Sequence, residues 1–189
     1  LKKNKISKNW IRNQHNDIYV RKSKIEGYRS RSAYKLIEIE KKHQIFKNNK
    51  TLLDLGASPG GWSQVASEKI KDGKILSVDL KQMLPIRGVD FILGNFLEIE
   101  TRKKIENYFK NNIDIVVSDM AANTTGNKTL DATNTGELCI QAMDFSINIL
   151  KRNSFFVSKI FMGINFKEIF AYAKKNFASV KIYKPKASR

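Results

Sequence analysis

Short apolar segments alternate with longer amphipathic segments from Thr51 to Tyr183, and this alternation limits the possible folds more than any other feature of the sequence. The short segments match buried strands, and the longer ones repeat apolar residues at helical spacing. Strands that alternate with helices form a parallel sheet, because parallel neighbours need a crossover connection. We therefore predict an α/β fold with a doubly wound, mostly parallel sheet and helices on both faces.

The chain is expected to form one domain behind a basic arm. Residues 1–30 have weak periodicity and make up the arm, and residues 31–189 make up the domain. The predicted strands are 51–55, 74–79, 89–93, 113–119, 154–160 and 178–183. The predicted helices are 32–46, 62–70, 98–109, 134–151 and 166–176. Ligands in such sheets bind beyond the carboxyl ends of the strands, and the polar loop Asn123–Thr133 is expected there to order on a substrate.

The positive charge is concentrated at the two ends of the chain. The sequence has 35 Lys and Arg against 18 Asp and Glu, a formal net charge of +17. Residues 1–32 carry a net +8 and residues 167–189 carry +6, whereas the residues between them carry only +3. A codon bias towards Lys would spread the charge evenly, and a solvated face needs no such clustering. The distribution favours a surface that binds the phosphate backbone of a nucleic acid.

Several other classes of protein are disfavoured. No stretch approaches the roughly 20 apolar residues that a membrane span requires, and no hydrophobic segment follows the first lysines as in a secretory signal. The single cysteine, Cys139, cannot form an internal disulfide, which fits a reducing compartment. Neither His15 nor His43 has metal-ligand spacing to it. We expect a soluble, cytoplasmic, metal-free monomer.

The segment that follows the first strand, Asp54-Leu55-Gly56-Ala57-Ser58-Pro59-Gly60-Gly61-Trp62, is the candidate cofactor loop. Its glycines permit unusual backbone angles and a close approach to a ligand. Pro59 removes one N–H donor from the turn, which disfavours the diphosphate of a dinucleotide and makes a nicotinamide-dependent enzyme the least favoured class. Asp79, after the second strand, can accept hydrogen bonds from ribose hydroxyls. An adenosine cofactor without phosphates, S-adenosylmethionine, fits this pair of features.

Five motifs in this order resemble the FtsJ family of methyltransferases. They are Asp54–Gln64 (DLGASPGGWSQ), Val78-Asp79-Leu80, Gly88-Val89-Asp90-Phe91, Ser118-Asp119-Met120-Ala121 and Val157-Ser158-Lys159. The resemblance implies a Rossmann-like, S-adenosylmethionine-dependent enzyme that methylates a ribose 2′-hydroxyl, in the bacterial member that of a uridine in 23S rRNA. It points to the large ribosomal subunit as partner. The cofactor-binding residues that it implies are Asp54, Gly56, Gly60, Gly61, Trp62, Asp79, Asn95 and Asp119.

The resemblance also implies a catalytic set of Lys, Asp, Lys and Glu, whose first three members match Lys35, Asp119 and Lys159. A ribose hydroxyl is a poor nucleophile, so a base that removes its proton assists the transfer. A lysine can act as that base when burial and a second cation lower its pKa. Which of the two lysines loses its proton is left open by the sequence.

Two features depart from the family pattern. Asn95 stands where the family has an Asp that contacts adenine, and an amide oxygen can still accept from the exocyclic amine. The printed chain stops at Arg189, before the final strand that carries the family's Glu, so that strand is expected to be absent from this chain. The RNA backbone is expected to contact four basic residues that precede Lys35. They are Lys22, Lys24, Arg29 and Arg31.

Two other functions are compatible with the sequence. One keeps the chemistry and changes the substrate to tRNA or another RNA, as in other members of the family. The other is an RNA-binding assembly factor of the ribosome that has kept the fold without catalysis. The presence of Lys35, Asp119 and Lys159 argues against the second function, whereas Asn95 and the expected absence of the Glu allow it.

Overall fold

Five parallel strands form the centre of the molecule. The computed structural model describes residues 17–47, 50–110, 112–122, 125–163 and 165–188. The strands are β1 (Thr51–Leu55), β2 (Lys74–Asp79), β3 (Asp90–Leu93), β4 (Ile113–Ser118) and β5 (Leu150–Ser158). Their order is β3-β2-β1-β4-β5, and all neighbouring pairs are parallel. The order reverses between β1 and β4, where sheets of this type bind ligands. The predicted α/β fold is confirmed.

Six helices surround the sheet in the described part of the chain. They are α1 (Ile18–Ile25), α2 (Ala33–His43), α3 (Gly61–Lys69), α4 (Ile99–Phe109), α5 (Lys128–Ile149) and α6 (Phe166–Asn176). Within the arm predicted over residues 1–30, α1 forms, and residues 1–16 lie outside the described residues. Among the residues described, no helix is long and apolar enough to cross a membrane.

The two faces of the sheet bury separate hydrophobic clusters. Along β1, Leu52 packs with residues of α2 and α3, whereas Leu53 and Leu55 pack with residues of α4 and α5. This division follows from the alternation of side chains along a strand. Each fully buried leucine contributes roughly 2 kcal/mol. The helices that carry functional residues are thereby fixed against the sheet.

The sixth strand predicted over residues 178–183 is wrong. These residues pair with no strand among those described. The preceding Phe177 stacks on Phe156 with ring centroids 5.7 Å apart, and Val180 packs against the cluster between α5 and α6. A strand needs a backbone partner along its length, and the tertiary contacts of this segment are instead made by side chains. Its apolar alternation alone could not show that difference.

The structure also moves two predicted boundaries. Helix α5 begins six residues earlier than the predicted 134, because the side chain of Asn127 caps it by accepting from Thr129 N at 3.0 Å and Leu130 N at 3.3 Å. The helix therefore takes up residues 128–133 of the predicted loop Asn123–Thr133, of which residues 123 and 124 lie outside the described residues. Strand β5 begins at Leu150 and contains a bulge, at which Asn153 adopts a positive φ of 59°. Polar residues predominate at the start of both elements, so the pattern of apolar residues did not predict where they start.

Candidate active site

Asp119 and Lys159 lie side by side at the carboxyl edge of the sheet. The register between β4 and β5 pairs Ser118 with Ser158, so the residue after each strand emerges at the same level. Lys159 Nζ lies 3.0 Å from Asp119 Oδ1 and also donates to the main-chain carbonyl of Asp119. The parallel pairing thus brings together two residues that are 40 positions apart in the chain.

Lys35 reaches the same carboxylate from α2. Its Nζ donates to Asp119 Oδ1 at 2.9 Å and to Oδ2 at 3.2 Å. Helix α2 is fixed there because Ala33 and Leu36 are buried in the cluster with α3. The three side chains expected to form a catalytic set therefore meet, each with less than a quarter of its surface exposed.

Burial lowers the pKa of Lys159 below its ordinary value. The charge of Asp119 and its hydrogen bond oppose this effect, whereas the charge of Lys35 adds to it. Desolvation disfavours the ammonium form of a lysine, and a second cation disfavours it further. The site thus holds a lysine whose proton is easier to lose than that of a lysine in water.

The loops that follow β1 and β4 touch at the switch point of the sheet. Gly56 has a φ of +74°, and a Cβ at this position would lie 2.4 Å from Met120 Cγ. The close approach of Met120, which the sequence reasoning did not single out as a functional residue, gives this glycine a packing role beside the ligand role proposed for it. The peptide bond between Ser58 and Pro59 is cis.

Asp54 is fully buried beneath the cofactor loop. Ser63 Oγ donates to Asp54 Oδ2 at 2.6 Å, and Ser63 and Ser77 hydroxyls lie 2.8 Å apart. Burial raises the pKa of the Asp54 carboxyl to about 7, although the Ser63 hydrogen bond works in the opposite direction. Asp54 Oδ1 is buried and has no hydrogen-bond partner among the described residues. Neither serine was predicted to have a role, although Ser63 lies within the motif Asp54–Gln64.

Replacing Asp54 by asparagine is expected to change how stability depends on pH. The folded pKa lies above the unfolded value of about 3.9, so the favourable contribution is complete below pH 4 and is lost as the pH rises to about 7. Relative to Asp54→Asn, the wild type should lose about 2–3 kcal/mol of unfolding free energy between pH 5 and pH 8. Urea denaturation of both proteins at several pH values measures this difference.

Asp114→Asn is the matched control. Burial acts to raise the pKa of Asp114, but hydrogen bonds from Lys151, Lys50 and Thr51 outweigh it, and the net shift is downward. Its favourable contribution is present above about pH 4 and is lost only below that value. The control should therefore differ from the wild type by a constant amount between pH 5 and pH 8. A constant difference for Asp54→Asn as well would contradict the assignment of a raised pKa.

The acceptors expected for an adenosine lie on the neighbouring strands. Asp79 Oδ2 accepts from Ser58 N at 2.8 Å and Oδ1 from Lys81 N at 2.7 Å. A carboxylate has about four acceptor sites, so both oxygens retain capacity for ribose hydroxyls. Asn95 Oδ1 accepts from Leu97 N at 3.1 Å and likewise keeps one lone pair.

A cleft of about 550 Å³ lies at the same edge of the sheet. It is lined by Leu97, Ala122, Asn134, Glu137, Leu138 and Gln141. The lining includes neither Asp79 nor Asn95, the acceptors predicted for adenosine. Its residues on α5 were not singled out by the sequence reasoning, because they belong to no motif.

The side chain of Trp62 packs inside the protein, unlike that of a residue that faces a ligand. Its ring is buried in the cluster with α2, and its Nε1 donates to Ser32 O at 2.8 Å. A cofactor contact from Trp62 would therefore use its main chain, in the first turn of α3, where N–H groups have no acceptor within the helix. Gly60 and Gly61 flank this turn, and each has a protein neighbour that a Cβ would strike.

Arg29 connects the cofactor loop to the segment after β2. Its guanidinium donates to the carbonyl oxygens of Pro59 at 3.4 Å and Pro85 at 2.7 Å, and also to that of Leu84. Its own N–H donates to Gln64 Oε1 at 2.7 Å. The guanidinium of Arg29 thus binds three carbonyl oxygens from two segments, and this contact stabilises the cofactor loop from its outer side.

The other basic residues expected to contact RNA divide into two kinds. Arg31 donates to Ala187 O at 2.7 Å, and its Nε lies 3.1 Å from Asp17 Oδ2. Lys24 is exposed, and the side chain of Lys22 is half exposed and 3.5 Å from Glu26 Oε1. Both lysines are thus more exposed than the arginines, although Lys22 pairs with Glu26, whereas the arginines use donors within the protein.

Among the described residues, no group of three or more His, Cys, Asp or Glu side chains converges in a way that could hold a metal ion.

Comparison with known proteins identifies the family. A family model described as FtsJ-like methyltransferase matches residues 28–189. The chain belongs to the FtsJ-like methyltransferase family. It is therefore an S-adenosylmethionine-dependent methyltransferase of the Rossmann-like type, as expected from the motifs.

Individual relatives agree with this assignment. The chain is 55% identical over its full length to the ribosomal RNA large subunit methyltransferase E of Pelagibacter ubique and covers 93% of that protein. It is 48% identical to the protein of the same name from Rickettsia bellii, over 97% of this chain and 83% of the relative. A crystal structure described as a ribosomal RNA methyltransferase from Plasmodium falciparum matches 85% of this chain and 93% of its own, with 35% identity and a TM-score of 0.78.

Proposed function

We propose that this FtsJ-like enzyme transfers a methyl group from S-adenosylmethionine to the ribose 2′-hydroxyl of a uridine in 23S rRNA within the large ribosomal subunit. The observation that carries the proposal is the cluster of Lys35, Asp119 and Lys159 at the switch point of the sheet, beside the acceptors expected for adenosine. The relatives whose names specify the RNA of the large subunit support the substrate class.

Lys159 is proposed as the base. When bound, S-adenosylmethionine would supply a methyl group whose bond to the sulfonium sulfur breaks as the ribose oxygen bonds to the methyl carbon, leaving a neutral thioether. In its neutral form, Lys159 Nζ would take the proton from the 2′-hydroxyl. Burial and a neighbouring cation lower the pKa of Lys159, which favours the neutral form that a base requires.

Asp119 and Lys35 are proposed to hold Lys159 in position. Asp119 Oδ1 accepts from both ammonium groups, so it fixes the Nζ of Lys159 relative to that of Lys35. The charge of Lys35 disfavours a second positive charge on Lys159. After transfer the proton remains on Lys159 until it exchanges with water. A base held in this way can contribute about 10²–10⁴-fold to the rate.

The cofactor is proposed to contact the remaining residues of the candidate set. Asp79 would accept from the ribose, Asn95 would accept from the adenine amine, and Asp119 would help to orient the methyl end. The rest of the cofactor would lie against the main chain of the loop that contains Gly56, Gly60, Gly61 and Trp62. Asp54 would act from beneath this loop, because its carboxyl is buried against Ser63 and Ser77.

The RNA is proposed to cross the basic arm formed by residues 1–30. Lys22 and Lys24 carry charges that the phosphate backbone can neutralise. Arg29 and Arg31 add to the local positive potential and could contact phosphate through donors that their protein contacts do not use. Residues 31–189 would then form the methyltransferase domain.

A pair of charge-removing variants separates the two kinds of basic residue. Arg29→Gln is expected to lower the unfolding free energy by about 1–2 kcal/mol, because hydrogen bonds from a guanidinium to three carbonyls are lost. Lys24→Gln removes the same charge from an exposed side chain and should leave stability unchanged. This variant should also make the binding constant for RNA less dependent on salt concentration, by the amount expected for the loss of roughly one phosphate contact.

Thermal denaturation and RNA titrations at several salt concentrations measure both variants. Equal losses of stability would argue against the bracing role of Arg29. An unchanged salt dependence for Lys24→Gln would argue against an RNA contact at that residue.

The direct test of the function is the transfer of labelled methyl to large ribosomal subunits that lack the modification. We expect label in an alkali-resistant dinucleotide, because a 2′-O-methyl group blocks cleavage of the adjacent phosphodiester. Transfer to tRNA but not to subunits or 23S rRNA would change the substrate. Binding of S-adenosylmethionine without transfer to any of these RNAs would support a non-catalytic assembly factor instead.

We also propose that the enzyme acts as a monomer in the cytoplasm. A substrate within the ribosomal subunit requires access to the compartment in which ribosomes mature. Lys35, Asp119 and Lys159 all come from the same chain, so their cluster forms within one copy.

A further inference from the structure

The last described residues fold back onto α2 and bind one glutamate. Lys186 N donates to Glu38 Oε2 at 2.7 Å, and Ala187 N donates to Glu38 Oε1 at 3.0 Å. Tyr183 Oη also reaches Oε2, at 3.5 Å. Successive N–H groups on the two oxygens of one carboxylate make a directed, charge-assisted contact. Residues 183–188 are therefore attached to α2 at Glu38.

A second contact secures the same segment close to the start of α2. Arg31 Nη2 donates to Ala187 O at 2.7 Å. Ala187 is completely buried between the two contacts. Both polar groups of its backbone thus bind side chains on or next to α2, one through N–H and the other through the carbonyl.

Lys35 lies between the two residues that hold this segment. Glu38 follows it by three positions in α2, on the same face of the helix, and Arg31 precedes it by four. Ser32, at the N-cap, makes no side-chain capping hydrogen bond, so the start of the helix lacks one common means of fixation. Trp62 Nε1 holds Ser32 O from the side of α3. The contacts with residues 183–188 hold α2 from another direction.

We propose that Glu38 is a positioning residue of the methyl-transfer site, which fixes Lys35 beside Asp119 by holding residues 183–188 against α2. This inference rests on the proposed function, since it assigns Glu38 a role only through Lys35. Glu38 itself makes its described contacts with the backbone of residues 186 and 187 and with Tyr183, not with the reacting groups.

The consequence is a measurable effect on the pH profile. The charged groups that bear on Lys159 are Asp119, which raises its pKa, and Lys35, which lowers it. If the release of residues 183–188 lets Lys35 move away, the pKa of Lys159 rises. The pH at which the transfer rate is half-maximal then moves in the alkaline direction, and the rate falls. A small misplacement at an active site can lower the rate by up to about 10²-fold.

The test measures single-turnover rates against pH for the full-length protein and for Glu38→Gln. Gln offers one acceptor where two backbone donors meet, so one hydrogen bond is lost. We expect a rate about tenfold lower, an alkaline shift of the midpoint, and a dissociation constant for S-adenosylmethionine within about twofold of the wild type. Ala187→Pro removes the N–H that Glu38 Oε1 accepts without altering α2, and it should have the same effects.

Lys35→Met and the double variant Lys35→Met/Glu38→Gln complete the experiment. If Glu38 acts through Lys35, the double variant should be no slower than Lys35→Met alone. Glu40→Gln is the matched control, because Glu40 lies on the same helix and accepts one backbone N–H, that of Phe46 at 3.0 Å. It should leave the midpoint unchanged.

The outcomes distinguish the inference from the function. A loss of rate without a shift of the midpoint, or additive effects in the double variant, would overturn the role of Glu38. If Glu38→Gln fails to fold, Ala187→Pro decides by the same two criteria. By contrast, a wild type that transfers no methyl group, or a Lys35→Met variant as fast as the wild type, would count against the proposed function itself.

Discussion

Replacing Lys159 by arginine is expected to slow methyl transfer by about 10²–10⁴-fold, as much as replacing it by methionine. Arginine keeps the positive charge and the hydrogen bonds to Asp119, but its guanidinium does not lose a proton at accessible pH. If Lys159 only stabilised charge, arginine would preserve much of the activity. Single-turnover rates with large ribosomal subunits, measured with saturating S-adenosylmethionine, separate these roles.

Lys151→Arg is the matched control for this substitution. Lys151 lies on the same strand, and its Nζ donates to Asp114 Oδ1 at 2.9 Å. Because Lys151 is at the opposite end of β5 from the site, this variant should transfer methyl at the rate of the wild type. An active Lys159→Arg enzyme, with the control also active, would rule out Lys159 as the base.

Lys35→Met and Asp119→Asn are expected to move the pH profile in opposite directions. The rate follows the fraction of Lys159 that is neutral, so its midpoint reports the pKa of that residue. Lys35 lowers this pKa, and its removal should shift the midpoint in the alkaline direction. Asp119 raises the pKa, and its neutralisation should shift the midpoint in the acidic direction.

The plateau rate should fall in both variants, and more for Asp119→Asn. The amide introduced by that substitution would offer only one oxygen to two cations, so both lysines would lose part of their fixed geometry. A fall of about 10²–10³-fold is expected. Stopped reactions across pH 6 to pH 10 measure both midpoints. Shifts in the same direction would show that the charges of the cluster do not control Lys159.

Much of the site could be predicted from motifs, but the arrangement behind it could not. Asp119 and Lys159 each follow an apolar strand, and the carboxyl ends of parallel strands meet at one edge. Lys35 had no such signal, since a lysine on an amphipathic helix normally faces water. The resemblance to the family identified it, and the packing of α2 on α3 explains how it reaches Asp119.

The basic residues illustrate a second limit of sequence reasoning. Charge concentration in residues 1–32 predicted a surface for RNA, and it treated Lys24 and Arg29 alike. The structure separates them, because the guanidinium of Arg29 binds the carbonyl oxygens of Pro59, Leu84 and Pro85. The net charge of a segment can be counted from its sequence. The carbonyl oxygens that bind one guanidinium, however, come from segments that are far apart in the chain.

Local patterns were sufficient to predict the parallel α/β fold, because periodicity is a property of each segment, and the resemblance of several motifs to the family pointed to the residues of the proposed catalytic set. The folded structure was needed to find that residues 178–183 form no strand and that Glu38 binds residues 186 and 187. It was also needed to find that burial and the neighbouring Lys35 lower the pKa of Lys159. These properties depend on desolvation and on contacts between segments far apart in the chain, which no local pattern encodes.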